Sequence, residues 1–303
     1  MRAIGFAPQT MPSDLPFASV VVPTRNRAAG LLRRCLKSLL AQDYPPDRYE
    51  VIVINDGSTD NTSEVVARFA GRETPPVRYV PQPHGGLNSA RNAGIAAARG
   101  DPICFVDDDV EAPPGWLSAL VSGALRHPEA GCFGGPIRLR LEGTPPRLRG
   151  HEPLGESELN LRDAEGEDAL VWGANMAVRR SALAQVGAFD EELPISGDEQ
   201  EWEERLLDAG GKIRYIADAW LWHLRTQEDL RLTTMMRRRF IRGMHRIFYL
   251  RKRGLPLPTV RGELISALRV VGHAVRRRCA WGLLAAAGHV GAAWAPVVEG
   301  RRR

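Results

Sequence analysis

The chain has 303 residues, of which 44% are hydrophobic and 25% are charged, and its net charge is +5 at neutral pH. This length suits one large α/β domain with an appendage or two modest domains, and the composition argues against disordered, collagen-like and multi-span membrane proteins. The four cysteines form no CxxC pair, which argues against a zinc knuckle or a disulfide framework and favours a reducing compartment.

The N-terminal half alternates patterns of strand and helix. Residues 1–16 carry three prolines and no sustained apolar core, so we expect a tail there and no signal peptide. Strands are then predicted at ASVVV, VIVIND, VRYV and PICFVDDD, and helices at LLRRCLKSLLAQ, STDNTSEVVARFA and GLNSARNAGIAAARG. This order predicts an α/β fold with a mostly parallel sheet flanked by helices.

Polar loops follow three of the predicted strands, with the sequences PTRN, NDGSTD and DDD. In open α/β sheets, ligands bind outside the carboxyl ends of the strands, so we expect these loops to converge on one site. After Trp116 the alternation ends, and a polar loop over residues 143–168 suggests a lid or binding loop.

The run Asp107, Asp108 and Asp109 directly follows the apolar residues 103–106. Adjacent like charges repel and are costly to bury, unless a cation or a ligand that binds acids lies beside them. A solvated acidic turn is the alternative interpretation.

Seven motifs occur in the order VVPTRNR, VINDGSTD, GGLNSARNAGI, FVDDDV, WGANMAVRR, GAFDEEL and GDEQEWEERLLDAG. Their order and spacing resemble those of family 2 glycosyltransferases of the GT-A fold, over about residues 17–225. The resemblance implies a catalytic domain at 17–228, with a nucleotide-binding half at about 17–115 and an acceptor half at about 116–228. It also implies inverting transfer of a sugar from a UDP-, dTDP- or GDP-linked donor to a hydroxyl acceptor, assisted by Mg²⁺ or Mn²⁺.

The resemblance further implies donor-binding residues at the strand ends. Asp107 and Asp109 would contact the ribose and the metal, with Asp108 between them, and His223 would complete the metal shell unless it is simply a packed side chain. Asp56 resembles the acid that accepts a hydrogen bond from the nucleobase, although it could instead cap a turn. The remaining expected donor contacts are Pro23, Thr24, Arg25 and Arg91.

The general base is expected in the acidic helix near residue 200. The family pattern is Glu-Asp followed by Arg-Leu, and counting back from Arg205 gives Asp198 and Glu199 in reversed order. We expect Glu199 to be the base, with Asp198 as the alternative and Glu201 and Glu203 as charges on the helix face. The acceptor side is expected at Trp172, Gly173, Ala174 and Asn175, with core packing as the alternative for the tryptophan.

Residues 229–303 are basic and are predicted to be helical. An apolar stripe suits either an anionic membrane surface or docking on the catalytic domain. It comprises Met236, Phe240, Met244, Ile247 and Phe248. Residues 279–298 approach the length of a membrane span but are rich in Ala and Gly, so we expect an interfacial or packed helix.

These features together predict a cytoplasmic enzyme, with peripheral contact at the inner face of the plasma membrane as a further expectation. The acceptor would be a glycan or a lipid-linked glycan of the cell-envelope type, and no nucleic acid is expected. Two alternatives are a non-catalytic nucleotide-sugar-binding scaffold and a sugar-phosphate nucleotidylyltransferase. The latter's G-x-G-T-R-x-x-P-x-T pattern is absent from the sequence.

Overall fold

The computed structural model describes residues 15–28, 30–71, 74–148, 158–161, 170–193 and 197–300, with side chains up to residue 296. Most of the polar loop expected over residues 143–168, and nearly all of the expected N-terminal tail, lie outside the described residues.

The first half alternates strands and helices as predicted from the sequence. Its elements are β1 (Ala18–Thr24), α1 (Leu31–Leu39), β2 (Tyr49–Asp56), α2 (Thr62–Ala67), β3 (Val77–Gln82), α3 (Leu87–Ala97) and β4 (Ile103–Val106).

The second half is less regular and ends in three long helices. Its elements are β5 (Val110–Glu111), α4 (Trp116–Arg126), β6 (Cys132–Gly134), β7 (Ile137–Glu142), β8 (Asn175–Val178), α5 (Arg180–Val186), α6 (Asp198–Asp208), β9 (Ile213–Tyr215), β10 (Leu221–Thr226), α7 (Leu232–Lys252), α8 (Val260–Arg277) and α9 (Trp281–Gly300).

Seven strands form the main sheet in the order β3-β2-β1-β4-β8-β6-β9. Strands β1 to β4 are mutually parallel, whereas β8 runs antiparallel to both β4 and β6. Strands β1, β2 and β4 are buried along their whole length, as expected for a parallel sheet with both faces covered. The predicted α/β fold class is therefore confirmed.

A small sheet in the order β5-β10-β7 lies beside the main one. Strand β10 pairs antiparallel with β5, which places His223 opposite Val110. The backbone N–H of Leu224 also donates to the carbonyl of Asp109 at 2.9 Å. These pairings bring the His223 strand against the end of the triple aspartate.

The C-terminal helices pack closely, with α9 in contact with both α7 and α8. A Cβ atom on Gly243 would lie 1.9 Å from the carbonyl oxygen of Gly288, and one on Gly291 would lie 1.9 Å from that of Phe240. Only glycine permits such an approach of two backbones. The Ala- and Gly-rich residues 279–298 thus form a packed helix, and none of the described helices is long and apolar enough to cross a membrane.

Helix α7 contacts α6 of the α/β part of the chain as well as α9. Tyr249 donates a hydrogen bond to Glu204 Oε1 at 2.5 Å, and Arg253 lies 2.9 Å from the other oxygen of the same carboxylate. Ile247 forms a small apolar cluster with Ala292 and Ala295 of α9. Two residues of the apolar stripe of α7, Met244 and Ile247, thus pack on α9, whereas the contacts with Glu204 come from residues outside the stripe.

Candidate functional site

The carboxyl ends of β1, β2 and β4 lie side by side. In the parallel pairing of β1 with β4, Val21 is opposite Phe105, and the same register carries Thr24 to Asp108. The Thr24 hydroxyl donates to Asp108 Oδ2 at 2.8 Å. The sheet topology thus brings the three predicted loops together at one edge.

The three consecutive aspartates have different surroundings. Burial raises the pKa of Asp108 to about 7, although the nearby Arg27 guanidinium, 3.1 Å away, opposes this rise. Burial would also raise the pKa of Asp109, but His223 and Arg225 outweigh it and hold that pKa well below its usual range. Their nitrogens lie 3.0 and 2.9 Å from the two oxygens of Asp109.

Asp107, Asp109 and His223 could hold a metal ion together. Each offers one ligand atom, and the three atoms lie within 4.8 Å of one another. Oxygen and imidazole nitrogen are ligands that Mn²⁺ accepts, and carboxylates suit Mg²⁺. Burial and the charge of Asp109 raise the pKa of Asp107, and a bound cation would offset both effects. The residues therefore fit a divalent cation.

A cavity of about 240 Å³ opens at this edge of the sheet. Leu87 and Ala90 of α3 form its apolar side. The rest of its lining contains most of the residues expected to bind the donor, namely Pro23, Thr24, Arg25, Asp56, Asp107, Asp108 and Asp109. Arg27 also lines this cavity and was not expected from the sequence.

Asp56 is fully engaged by the chain segment 82–86. Gln82 and the Gly85 N–H donate to Oδ1, both at 2.8 Å, while His84 Nδ1 and the Gly86 N–H lie 2.7 and 3.0 Å from Oδ2. Burial would raise the pKa of Asp56, but these hydrogen bonds lower it. A carboxylate has about four acceptor sites, so a bond to a nucleobase would have to replace one of these partners.

A second cavity, of about 610 Å³, adjoins the first. Both are lined by Arg27, Leu87, Asp107 and Asp109, so they meet at the candidate metal ligands. The larger cavity is also lined by Trp172, Ala174, Asp198 and Glu199. The start of the acidic helix α6 and two of the three aspartates therefore line the same cavity.

Arg91 was expected to contact the donor, and in the structure its guanidinium forms an ion pair within the chain. It lines the larger cavity, where its NH1 atom lies 2.5 Å from Asp198 Oδ2, and both side chains are buried. A Cβ on Gly173 would lie 2.0 Å from Arg91 NH2, so this glycine makes room for the guanidinium. The Arg91–Asp198 ion pair therefore fixes the start of α6.

Glu199 is the better placed of the two candidate bases. Its side chain is only half-buried and lines the larger cavity. Burial and the neighbouring Asp198 raise its pKa well above the usual value for a glutamate. A carboxylate with a raised pKa that faces a cavity suits the removal of a proton from a hydroxyl.

The prediction that Glu201 and Glu203 lie on the exposed face of the helix is wrong. Glu201 pairs with Arg205 at 2.7 Å, one helical turn away. Glu203 is fully buried, where it accepts a hydrogen bond from the Val171 N–H at 2.9 Å. Its contact secures the segment that carries Trp172.

Asn175 was expected on the acceptor side, and that expectation is also wrong. The side chain is fully buried, where its Oδ1 accepts from Trp116 Nε1 at 2.8 Å. Its Nδ2 donates to the carbonyls of Pro136 and Ala219. Asn175 therefore joins α4 to the loops around the small sheet and does not reach the cavity.

The outer wall of the larger cavity comes from α7, together with Leu284 of α9. The α7 contribution comprises Met235, Arg238, Arg239, Ile241 and Arg242, none of which was expected to line a site. Their three- and four-residue spacing places them on one face of the helix. This spacing is the signal in the sequence that could have identified them as a group. Arg225 was also missed, although it lies two residues from His223 on the same strand.

Comparison with known proteins identifies the family of the chain. The family model described as "Glycosyl transferase family 2" matches residues 19–187, which is more than half of the chain. The chain belongs to this family.

The described part of this family 2 member also resembles solved GT-A glycosyltransferases in fold. The mannosyltransferase PcManGT from Pyrobaculum calidifontis, solved with GDP-Man and Mn²⁺, matches with a TM-score of 0.57 and 20% identity. That match covers 96% of this chain and 81% of PcManGT.

Two curated family relatives show how much of their length is shared. Glycosyltransferase AglE of Haloferax volcanii is 27% identical over 69% of this chain and 67% of its own. The pre-mycofactocin glycosyltransferase of Mycobacterium tuberculosis is 34% identical over 65% of this chain and 40% of its own. The chain thus matches only part of each relative.

Proposed function

We propose that the protein transfers a sugar from a nucleoside-diphosphate sugar to a hydroxyl acceptor, with inversion at the anomeric carbon. The observation that carries this proposal is the meeting of two cavities at Asp107 and Asp109, with Glu199 lining the larger one. The smaller cavity would take the nucleotide and the larger one the sugar and the acceptor. Family membership supports this class of reaction over nucleotidyl transfer.

On the donor side, Arg27 and Arg225 lie beside Asp109, 3.7 and 2.9 Å from its Oδ2 atom. Their guanidinium groups would attract the diphosphate of the donor. A divalent cation bound by Asp107, Asp109 and His223 would neutralise the negative charge that the leaving diphosphate gains. Asp56 would have to exchange a partner before it could bind any base, so its contacts do not select one nucleobase. UDP-, dTDP- and GDP-linked donors therefore all remain candidates.

On the acceptor side, Glu199 would accept the proton of the hydroxyl as its oxygen attacks the anomeric carbon. The bond from that carbon to the diphosphate breaks on the opposite face, which gives inversion. Asp198 would position Glu199 through its ion pair with Arg91, and Trp172 would stack against a sugar ring.

The acceptor would be a glycan or a lipid-linked glycan. Arg238, Arg239 and Arg242 place positive charge on the α7 wall, which favours acceptors that carry phosphate or carboxylate. An acceptor screen should therefore pair each phosphorylated sugar with its unphosphorylated form. Cell-envelope polysaccharide synthesis is the process that we propose. The four cysteines are all free and buried, which suits a cytoplasmic location.

A Glu199→Gln variant tests the catalytic assignment. We expect turnover to fall by about 10²–10⁴-fold, because the amide cannot accept the proton, while donor affinity stays unchanged. Donor consumption and calorimetric titration of the donor measure the two quantities. Glu64→Gln, on the exposed side of α2, is the matched control and should match the wild type in both. Unchanged turnover in Glu199→Gln would favour Asp198 as the base, whereas donor binding with no turnover in the wild type would favour the scaffold alternative.

A further inference from the structure

Large apolar side chains are exposed mainly in one part of the described chain. Among the residues whose side chains are described, twelve large hydrophobic ones are exposed, and nine of these lie between residues 255 and 294. Single exposed apolar residues are common on protein surfaces, but a concentration of this kind marks an interaction surface. The remaining three, Leu125, Leu141 and Leu170, are scattered over the catalytic domain.

Four of these residues form a stripe along α8. Val260, Leu264, Leu268 and Val275 are separated by four, four and seven residues, so they share one helical face. Leu268 is 73% exposed and Val275 is 72% exposed, which shows that no described part of the chain covers the stripe. The other face of α8, with Glu263, Ala267 and Ala274, is buried.

The exposed surface of α8 carries positive charge only. Arginines lie beside the stripe and at the end of the helix, at positions 261, 269, 276, 277 and 278, and all of them are exposed. The acidic residue of α8 is Glu263, which is buried and lies 2.6 Å from His289 Nδ1. No carboxylate of α8 therefore offsets the arginines on the exposed side.

We propose that this face of α8, here called the α8 surface, binds an anionic lipid bilayer. Leu264, Leu268 and Val275 would enter the boundary between headgroups and acyl chains, and the arginines would contact lipid phosphates. Trp294 on the adjoining α9 is 48% exposed, and tryptophan is favoured at this depth of a membrane. This proposal goes beyond glycosyl transfer and does not depend on it.

Charge favours a membrane over a second copy of this chain. In a symmetric dimer the α8 surface would meet its own copy, so the arginines of one chain would approach those of the other. An anionic bilayer offers apolar and negative groups together, which matches the stripe and its flanks. The sequence suggested α7 for this role, but in that helix Ile247 packs on α9, and Met235 and Ile241 line the larger cavity.

Vesicle flotation of the full chain tests the α8 surface. The probes are vesicles of phosphatidylcholine alone and of phosphatidylcholine mixed with phosphatidylglycerol. We expect binding to the mixed vesicles and at least about tenfold weaker binding to the neutral ones, with a marked loss at high salt. Equal binding to both, or none to the mixed vesicles, would overturn the proposal.

Two double variants and one control locate the bound surface. Leu268→Ser with Val275→Ser should weaken binding to mixed vesicles by about tenfold or more, since two apolar contacts are lost. Arg269→Gln with Arg276→Gln should weaken it at low salt and reduce its salt dependence. Leu125→Ser, at an exposed leucine on α4, should bind like the wild type.

Wild-type binding by both double variants would assign the interaction to another surface and contradict the proposal. A wild-type dimer in light scattering that becomes a monomer in Leu268→Ser with Val275→Ser would assign the α8 surface to a second copy instead. Calorimetric titration of the donor with the same variants separates membrane binding from the proposed glycosyl transfer. The donor affinity of these variants should equal that of the wild type, whatever the vesicle experiment shows.

Discussion

The two walls of the larger cavity differ in how the sequence encodes them. The inner wall, with Asp107 and Asp109, follows a buried strand, and the sheet topology alone fixes its place. The outer wall is a face of α7 that reaches the cavity because Tyr249, Lys252 and Arg253 dock the helix on the catalytic domain. A wall set by backbone topology can be inferred from sequence patterns, whereas one set by side-chain docking requires the structure.

The largest effect on stability is expected from the Arg91–Asp198 ion pair at the start of α6. Arg91→Met would leave the buried Asp198 carboxylate without its cation, and we expect a loss of about 3–5 kcal/mol in the free energy of unfolding. Chemical denaturation measures it. The double variant Arg91→Met with Asp198→Asn should recover part of the loss. Equal stabilities of Arg91→Met and the wild type would show that the pair does not hold α6.

A smaller effect is expected at the outer wall, from the contact of α7 with α9. Gly243→Ala places a Cβ 1.9 Å from a backbone oxygen of Gly288, so we expect a loss of about 1–3 kcal/mol. Gly272→Ala on α8 is the matched control, since its Cβ meets only the far end of Arg276 at 3.6 Å. The control should be neutral or gain up to about 1 kcal/mol from helix propensity. If the two variants lose stability equally, close packing is not what holds α7 in place.

The smallest of the three effects concerns Glu203, behind the inner wall. Burial raises its pKa well above the usual value, so this side chain favours folding while protonated and opposes it as the pH rises through the folded-state pKa. Glu203→Gln should therefore raise the free energy of unfolding at pH 7 by an amount on the order of 1 kcal/mol, which thermal unfolding measures. The gain should vanish below about pH 4, where the glutamate is protonated in both states. A gain that is independent of pH would contradict this explanation.

The difference between backbone topology and side-chain docking also explains which residues the sequence could identify. The strands, the helices of the first half and the triple aspartate follow from local periodicity and from the position of loops after strands. Asn175 and Glu203 are polar residues that the sequence placed on surfaces, but each is buried against a backbone partner far along the chain. Their hydrogen bonds form only after tertiary packing, so periodicity carries no trace of them.

Arg91 and Asp56 show a second limit. Both lie in motifs that suggest ligand binding, yet both are already paired with groups of the chain itself. A motif identifies the residue type that the site needs, but the partner of each side chain depends on the geometry. For Arg91 that partner is Asp198, the residue beside the proposed base.

The central claim is that the edge of the sheet at Asp107 and Asp109 binds a nucleotide with the help of a metal. The most direct test is calorimetric titration of UDP, GDP and dTDP, with Mn²⁺ and with EDTA, into the wild type and Asp109→Ala. We predict that one nucleotide binds the wild type with Mn²⁺, that EDTA abolishes this binding, and that Asp109→Ala loses it. Binding that is unaffected by EDTA and by Asp109→Ala, or binding of none of the three nucleotides, would contradict the account.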